Sequence, residues 1–193
     1  MARTKEFDRE EALGRAMDLF WRQGYATTST DDLVKVMGIG RQSLYDTFGD
    51  KQKLYFEALR RYHTTKSLDI PNQPAPRQTA LETIRGALVK MAERPEEARA
   101  MGCMGINATT SFAGSEPQVA QMAQITAAYA EGAFKSIIEL GIEAGEFDPD
   151  IDTAAAARFL YATQQGLVVR AQAGADPTSL RSAIDFALRT LQR

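Results

Sequence analysis

The chain has 193 residues, 25% of them charged and 8% aromatic, with a formal net charge of −2; this is ordinary globular composition with enough apolar content to bury a core. No apolar run approaches the ~20 residues of a membrane span, Met1 to Phe7 lacks the apolar core of a signal peptide, and one cysteine leaves no internal disulfide framework, which together point to a reducing cytoplasm. Residues 1–66 hold 12 Lys/Arg against 10 Asp/Glu, net +2, and residues 67–193 hold 11 against 15, net −4, so contact with phosphates has to rest on a few well-placed donors and not on a broad basic field.

Asp8 is placed to cap a first helix, with Glu10 and Glu11 in its first turn, an apolar stripe of Leu13, Ala16, Met17 and Phe20, and Gly24 as its stop. A second helix is expected over about Thr30 to Met37 and a third over about Arg41 to Phe48. A fourth follows Asp50, with Leu54, Tyr55, Ala58, Leu59 and Tyr62 facing inward. Pro71 to Pro76 forms a proline-rich break. Beyond it, helices are expected over about 77–93, after Pro95, over 103–113, from a Ser115 cap to about Gly145, and over 150–173 and 177–192. There is no β-alternation, internal repeat or low-complexity tract. The expected fold class is all-α, with one domain at 1–66 and a second at 67–193.

The stretch Thr28 to Lys51 carries the chemistry. Two short helices joined through Gly38, where the turn favours positive φ, form a helix-turn-helix, the geometry that lays its second helix in the DNA major groove. Leu33, Val36 and Met37 are expected to face the core from the first helix, and Leu44 and Phe48 from the second. That leaves Arg41, Gln42, Ser43, Tyr45 and Thr47 outward. Arg matches guanine and Gln matches adenine in bidentate fashion, while Thr offers a methyl or a hydroxyl. Thr28, Ser29 and Thr30 sit at a helix start suited to phosphate, and Lys51 adds a cation at the next one. Arg3 and Lys5 fit either a minor-groove arm or a solubilising tail.

The segment from Gly24-Tyr25 through Gly38-Ile39-Gly40-Arg41-Gln42-Ser43-Leu44-Tyr45-Asp46-Thr47-Phe48-Gly49-Asp50-Lys51 and Leu54 resembles the DNA-binding domain of TetR/AcrR-family transcriptional regulators, over about residues 8–60. The resemblance implies that Arg41, Gln42, Ser43 and Thr47 approach bases and that Tyr45, Lys51, Ser29 and Thr30 hold phosphates. It also implies a C-terminal ligand pocket and a two-helix dimer face, hence a homodimeric repressor on a palindromic operator, released by a small-molecule effector. Two residues depart from the family pattern. Gly40 stands where Ser is common at the recognition-helix cap, and Asp46 places a carboxylate on a helix that faces DNA.

Dimerisation has independent support. The 150–173 helix is apolar nearly all round (Ala154, Ala155, Phe159, Leu160, Ala162, Leu167, Val168, Val169) and needs cover on both sides, while 177–192 adds a stripe of Leu180, Ile184, Leu188 and Leu191. Pocket candidates are Met101, Cys103, Asn107, Phe112, Met122, Tyr129, Tyr161 and Gln165, with Ile125 and Gln164 beside them. Methionines and aromatics at this spacing build plain core as readily, and a buried amide needs a partner from ligand or backbone. No charged cluster points inward, so the effector is expected to be neutral and apolar or flat. Cys103 is open to two readings, a small buried hydrophobe or a thiol sensor of oxidants or electrophiles, as in a subset of TetR-like repressors. A DNA-bound scaffold controlled by a protein partner is the remaining alternative. An enzyme is not expected: His63 is the only histidine, no Cys-His pair or metal cluster is foreseen around it, and no phosphate-binding Gly loop occurs. No cofactor or metal is expected.

Overall fold

A computed structural model of the chain describes residues 7–65, 70–112 and 114–192, apart from the side chains of Met91 and Ala92; among them there is no strand. The helices in chain order are α1 (Arg9–Gln23), α2 (Thr30–Met37), α3 (Arg41–Phe48), α4 (Lys51–Thr65), α5 (Ala80–Ala92), α6 (Glu96–Met101), α7 (Met104–Phe112), α8 (Pro117–Glu143), α9 (Thr153–Gln172) and α10 (Pro177–Arg189). They group into two compact units. The first is Met1–Ser67 with Cys103–Ala123, the second Leu68–Gly102 with Gln124–Arg193. The position 66/67 expected as the domain boundary lies outside the described residues, and the first unit recruits α7 and the start of α8 from the second half of the chain.

In the first unit α1 packs against α2 and α4, α3 against α2 and α4, and α7 against α4. The capping expected at Asp8 is present: its carboxylate accepts the N–H groups of Glu10 and Glu11 at 2.8 and 3.0 Å. Ser29 caps α2 in a reciprocal box with Asp32, each satisfying a backbone N–H that the helix start leaves free. The Ser29 hydroxyl is also the main cause that holds the Asp32 carboxyl below its ordinary range. Gly38 ends α2 at φ +67° and ψ +31°, a left-handed conformation that turns the chain into α3. Leu33, Met37, Leu44 and Phe48 are buried as expected. Val36 is not: it is 36% exposed, because α2 is only two turns long and its inner stripe is already filled by Leu33 and Met37, four residues apart.

In the second unit α5, α9 and α10 pack against one another and α6 lies on α9. Thr79 and Glu82 form a capping box at the start of α5, and Arg77 sits at φ +69°, so this helix opens at Ala80 and not at 77. Glu146 accepts the N–H groups of Ala80 and Leu81, each at 3.1 Å, neutralising the same helix start from a distant loop. Ser115 does not cap α8. Its hydroxyl donates to the Phe112 carbonyl at 2.6 Å, closing α7 instead, and Glu116 precedes Pro117.

Leu180, Ile184, Leu188 and Leu191 are all buried in this unit's own core, so the α10 stripe is spent within one protomer. The large apolar side chains of α9 and α10 left uncovered are Phe159 (44% exposed), Val169 (47%) and Phe186 (64%). Among the described residues no helix is long and apolar enough to cross a membrane. Leu44 is fully buried on the very helix that presents the outward polar face. Leu44→Ala should therefore lower stability by about 2–5 kcal/mol, read as a fall in the urea midpoint at unchanged protein concentration; a change below 1 kcal/mol would mean that α3 is not anchored through this side chain.

Candidate nucleic-acid interface

The outward face of α3 carries Arg41, Gln42, Tyr45 and Asp46 exposed, with Ser43 and Thr47 half-buried beside them. All six ride on a helix pinned from behind by Leu44 and Phe48. Gly40 offers α3 no side-chain cap, so its first backbone donors remain open to an outside acceptor. The two side chains best suited to bases already have protein partners. The Arg41 guanidinium bonds to Asp31 of α2, an ion pair that lifts the arginine above its ordinary pKa through the hydrogen bond and the charge. Gln42 Nε2 donates to Asp46 Oδ1 at 2.8 Å, one turn along. Asp46 thus lies along the helix and is held by its neighbour. The role of Asp31 as a tether was not legible in the sequence, because it stands 10 residues from Arg41 and on a different helix.

The residues expected at phosphates flank this face. Ser29 is exposed, and its hydroxyl donates to Asp32 Oδ2 at 2.6 Å; Thr30 opens α2 half-buried, and Tyr45 is 42% exposed. Lys51 Nζ donates to the Thr28 carbonyl at 2.7 Å and stands 4.5 Å from the centre of the Tyr25 ring. The ammonium thus ties α4 to the loop before α2 and keeps further N–H donors for an anion. Thr28 is 1% exposed and donates to the Gly24 carbonyl at 2.7 Å, which takes it out of the expected phosphate contacts. Arg3 and Lys5 lie outside the described residues.

The eight expected pocket residues divide between the units. Cys103, Asn107, Phe112 and Met122 belong to the first. There Phe112 is built into an aromatic core with Tyr25, Tyr55 and Phe56 at centroid separations of 5.2, 5.6 and 5.6 Å, and Cys103 and Met122 pack partly buried against the same core. Met101, Tyr129, Tyr161 and Gln165 belong to the second, where Tyr161 is buried and Tyr129 is 55% exposed. A cleft of about 300 Å³ in the second unit is lined by Ile142, Gly145, Glu146, Phe147 and Pro149 and includes none of the eight.

Two findings change the polar inventory. The Cys-His neighbourhood that the sequence did not foresee exists. A Cβ placed on Gly105 would lie 3.0 Å from His63 Cε1, 3.3 Å from its Nε2 and 3.6 Å from Cys103 Sγ, because α7 packs on α4 and brings together positions 40 residues apart. In addition, Gln164 is 4% exposed with its Oε1 unpartnered, and Arg99 Nε and Nη1 are buried without a partner. Gln164 was a candidate on its amide alone. Nothing in the surrounding Pro-Glu-Glu-Ala-Arg sequence signals that two nitrogens of half-buried Arg99 are shielded from water.

Comparison with known proteins places this geometry among relatives. Residues 12–58 match the family model of bacterial regulatory proteins, tetR family, and residues 78–187 match that of the tetracyclin repressor-like C-terminal domain. The chain is 32% identical to the HTH-type transcriptional regulator YezE of Bacillus subtilis (strain 168), over 99% of this chain and 100% of that protein. It is 30% identical to the HTH-type transcriptional repressor ComR of Escherichia coli (strain K12), over 98% and 90% of the two chains. Among solved structures, a cysteine mutant of the TetR-family transcriptional regulator CifR complexed with 26-bp double-strand operator DNA superposes with a TM-score of 0.72 at 28% identity, covering 98% of this chain and 100% of that one.

Burial of His63 lowers its pKa below the ordinary 6.5. The unfolded chain therefore binds the proton more readily than the folded one, and stability should be greatest above pH 6.5 and fall as pH drops through and below it. Thermal unfolding from pH 7.5 to 5.5 should show this slope, and His63→Gln should flatten it. An equal slope in that variant would locate the titration elsewhere.

Proposed function

This chain belongs to the TetR family of bacterial transcriptional regulators, and from that premise we propose that it is a cytoplasmic, non-enzymatic repressor that binds a palindromic operator as a homodimer and leaves it when a small-molecule effector binds. The observation that carries the reading is the α3 face, where exposed Arg41, Gln42 and Tyr45 stand on a helix anchored by fully buried Leu44. ComR is a repressor by name, and CifR was solved on operator DNA. Both support carrying this role to the present chain.

In this reading Arg41 and Gln42 meet base edges with Ser43 and Thr47 beside them, and Ser29, Thr30, Tyr45 and Lys51 hold the flanking phosphates. On docking, Arg41 exchanges Asp31 for a guanine edge and Gln42 exchanges Asp46 for a base or backbone acceptor. The protein partners suppress binding to sequences that offer no equivalent acceptor. Phe159, Val169 and Phe186 find their cover in an isologous pairing of α9 and α10 with a second copy, which sets two α3 helices about 34 Å apart on one face of the duplex. Effector binding in the second unit favours a spacing that no longer fits, with coupling of about 1–3 kcal/mol.

A second reading is favoured by the Cys103–His63 neighbourhood: covalent release through the thiol. Burial favours neutral His63, which can take the thiol proton as sulfur attacks an electrophilic carbon and displaces its leaving group. Iodoacetamide should then free the operator with loss of iodide, and Cys103→Ser should not respond; release that persists in that variant removes this route.

Selection of duplexes from a random pool by the purified dimer supplies the operator, and fluorescence anisotropy across a salt series supplies the test. Arg41→Ala should lose about 1–3 kcal/mol of discrimination at one base position, whereas Tyr45→Ala and Lys51→Ala should weaken operator and scrambled duplex alike and flatten the salt dependence. Asp31→Asn should strengthen binding to scrambled duplex more than to operator. Intact discrimination in Arg41→Ala would overturn the assignment of α3 as the reader.

A further inference from the structure

We propose that the second unit contains a recognition site for an organic carboxylate, with Arg99 of α6 supplying its positive charge and Gln164 of α9 accepting a hydrogen bond from a hydroxyl or N–H on the same ligand. The site deepens the effector-controlled reading above and rests on it for its regulatory meaning.

Three observations support it. First, Arg99 Nε and Nη1 are buried with no hydrogen-bond acceptor, although α6 carries two carboxylates of its own. Glu96 and Glu97 are exposed in the first turn, and neither is paired with Arg99. A guanidinium keeps its charge in a protein interior. Burying its donors without an acceptor is costly, whereas a carboxylate or phosphate satisfies them with short, charge-assisted bonds. Second, Gln164 is 4% exposed, sits among Leu160, Tyr161, Leu167 and Ala171 on the inner side of α9, and leaves Oε1 unpartnered. An orphaned amide oxygen in such surroundings is an acceptor awaiting a donor.

Third, the two residues lie on helices that pack together. At the end of α6, Gly102 faces the side-chain amide of Gln172 on α9. Gly102 itself stands at φ +63°, in the left-handed region that favours glycine, and ends α6 beside the Gln172 side chain. The surroundings define the ligand further. One half-buried cation with two shielded donors calls for one anionic group, the lone acceptor calls for one donor, and the apolar side chains beside Gln164 call for a hydrocarbon or aromatic body between them. A bare inorganic anion would satisfy Arg99 and leave Gln164 as it is.

The experiment is a thermal-unfolding series on the full-length protein at fixed protein concentration. The probes are benzoate, 4-hydroxybenzoate, phenylacetate and 4-hydroxyphenylacetate, each beside its methyl ester, with inorganic phosphate as the bare-anion control. At least one acid should raise Tm saturably, by about 5–10 °C at roughly a hundredfold excess over its Kd, and its ester should not. Arg99→Gln should abolish the shift and Arg99→Lys should retain part of it.

Gln164→Leu should leave the ligand-free Tm unchanged or raised, because it removes an unsatisfied group, and should cancel the advantage of a hydroxylated acid over its parent. Absence of any acid-specific shift overturns the proposal. So does an equal shift with the ester or with phosphate, a shift that survives Arg99→Gln, or a ligand-free Gln164→Leu that unfolds several degrees lower. None of these readouts uses DNA. Effector control failing therefore appears separately, as an acid that stabilises the protein without releasing operator. A wrong ligand class appears as a neutral compound that releases operator from Arg99→Gln as well as from the unaltered protein.

Discussion

Tyr55 and Phe56 are adjacent on α4, so this one helix must bury aromatic surface in two directions at once. Tyr55 meets Phe20 of α1 edge-on at 5.0 Å, and Tyr55 and Phe56 both meet Phe112 of α7, each at 5.6 Å. Burial is complete enough to push the Tyr55 hydroxyl up to about 12, and each large side chain removed from water contributes about 1.5–3 kcal/mol. The first unit is arranged around this demand. α1 and α3 cover α4 on behalf of the polar face, and α7, drawn from residues 104–112, covers the remainder. The same packing brings His63 beside Cys103 and lets Lys51 tie the opening of α4 to the loop before α2.

A reading face mounted in this way does not need a strong electrostatic field. With a net charge of only +2 over residues 1–66, the protein has little long-range attraction for a polyanion, and Arg41 and Gln42, the side chains proposed to meet bases, are already engaged with carboxylates. Those exposed pairs contribute little to stability. In the proposed reading they set a threshold that a duplex must exceed by offering better acceptors, which favours discrimination over raw affinity.

The second unit shows the opposite distribution. Its interior takes the whole stripe of α10 and the inner side of α9, while Phe159, Val169 and Phe186 stay outside. Among the described residues, Gln164 inside that interior and two nitrogens of half-buried Arg99 at α6 are the shielded side-chain polar atoms that have no partner. Interiors rarely keep such groups without a reason, and binding is the reason their chemistry suggests.

Much of this was legible in the sequence, for local reasons. The bounds of α2 and α3, the cap at Asp8, the turn at Gly38 and the burial of Leu44 and Phe48 follow from caps, glycine conformation and helical spacing. Each involves residues within a turn or two of one another. The family followed from the Gly38 to Lys51 motif. What escaped depended mostly on how segments pack: Val36 left outside, Thr28 turned inward, Ser115 closing the helix before it, Phe112 built into the first unit's core, Asp31 holding Arg41, and Cys103 and His63 both lying against Gly105. By itself, then, the sequence determined the all-α class, the helix-turn-helix and which side chains stand on its outer face, because short-range backbone and spacing rules govern these. Only the tertiary structure decided which of those side chains already have partners and which buried polar atoms lack one, since satisfaction of a hydrogen bond depends on what another helix brings to it.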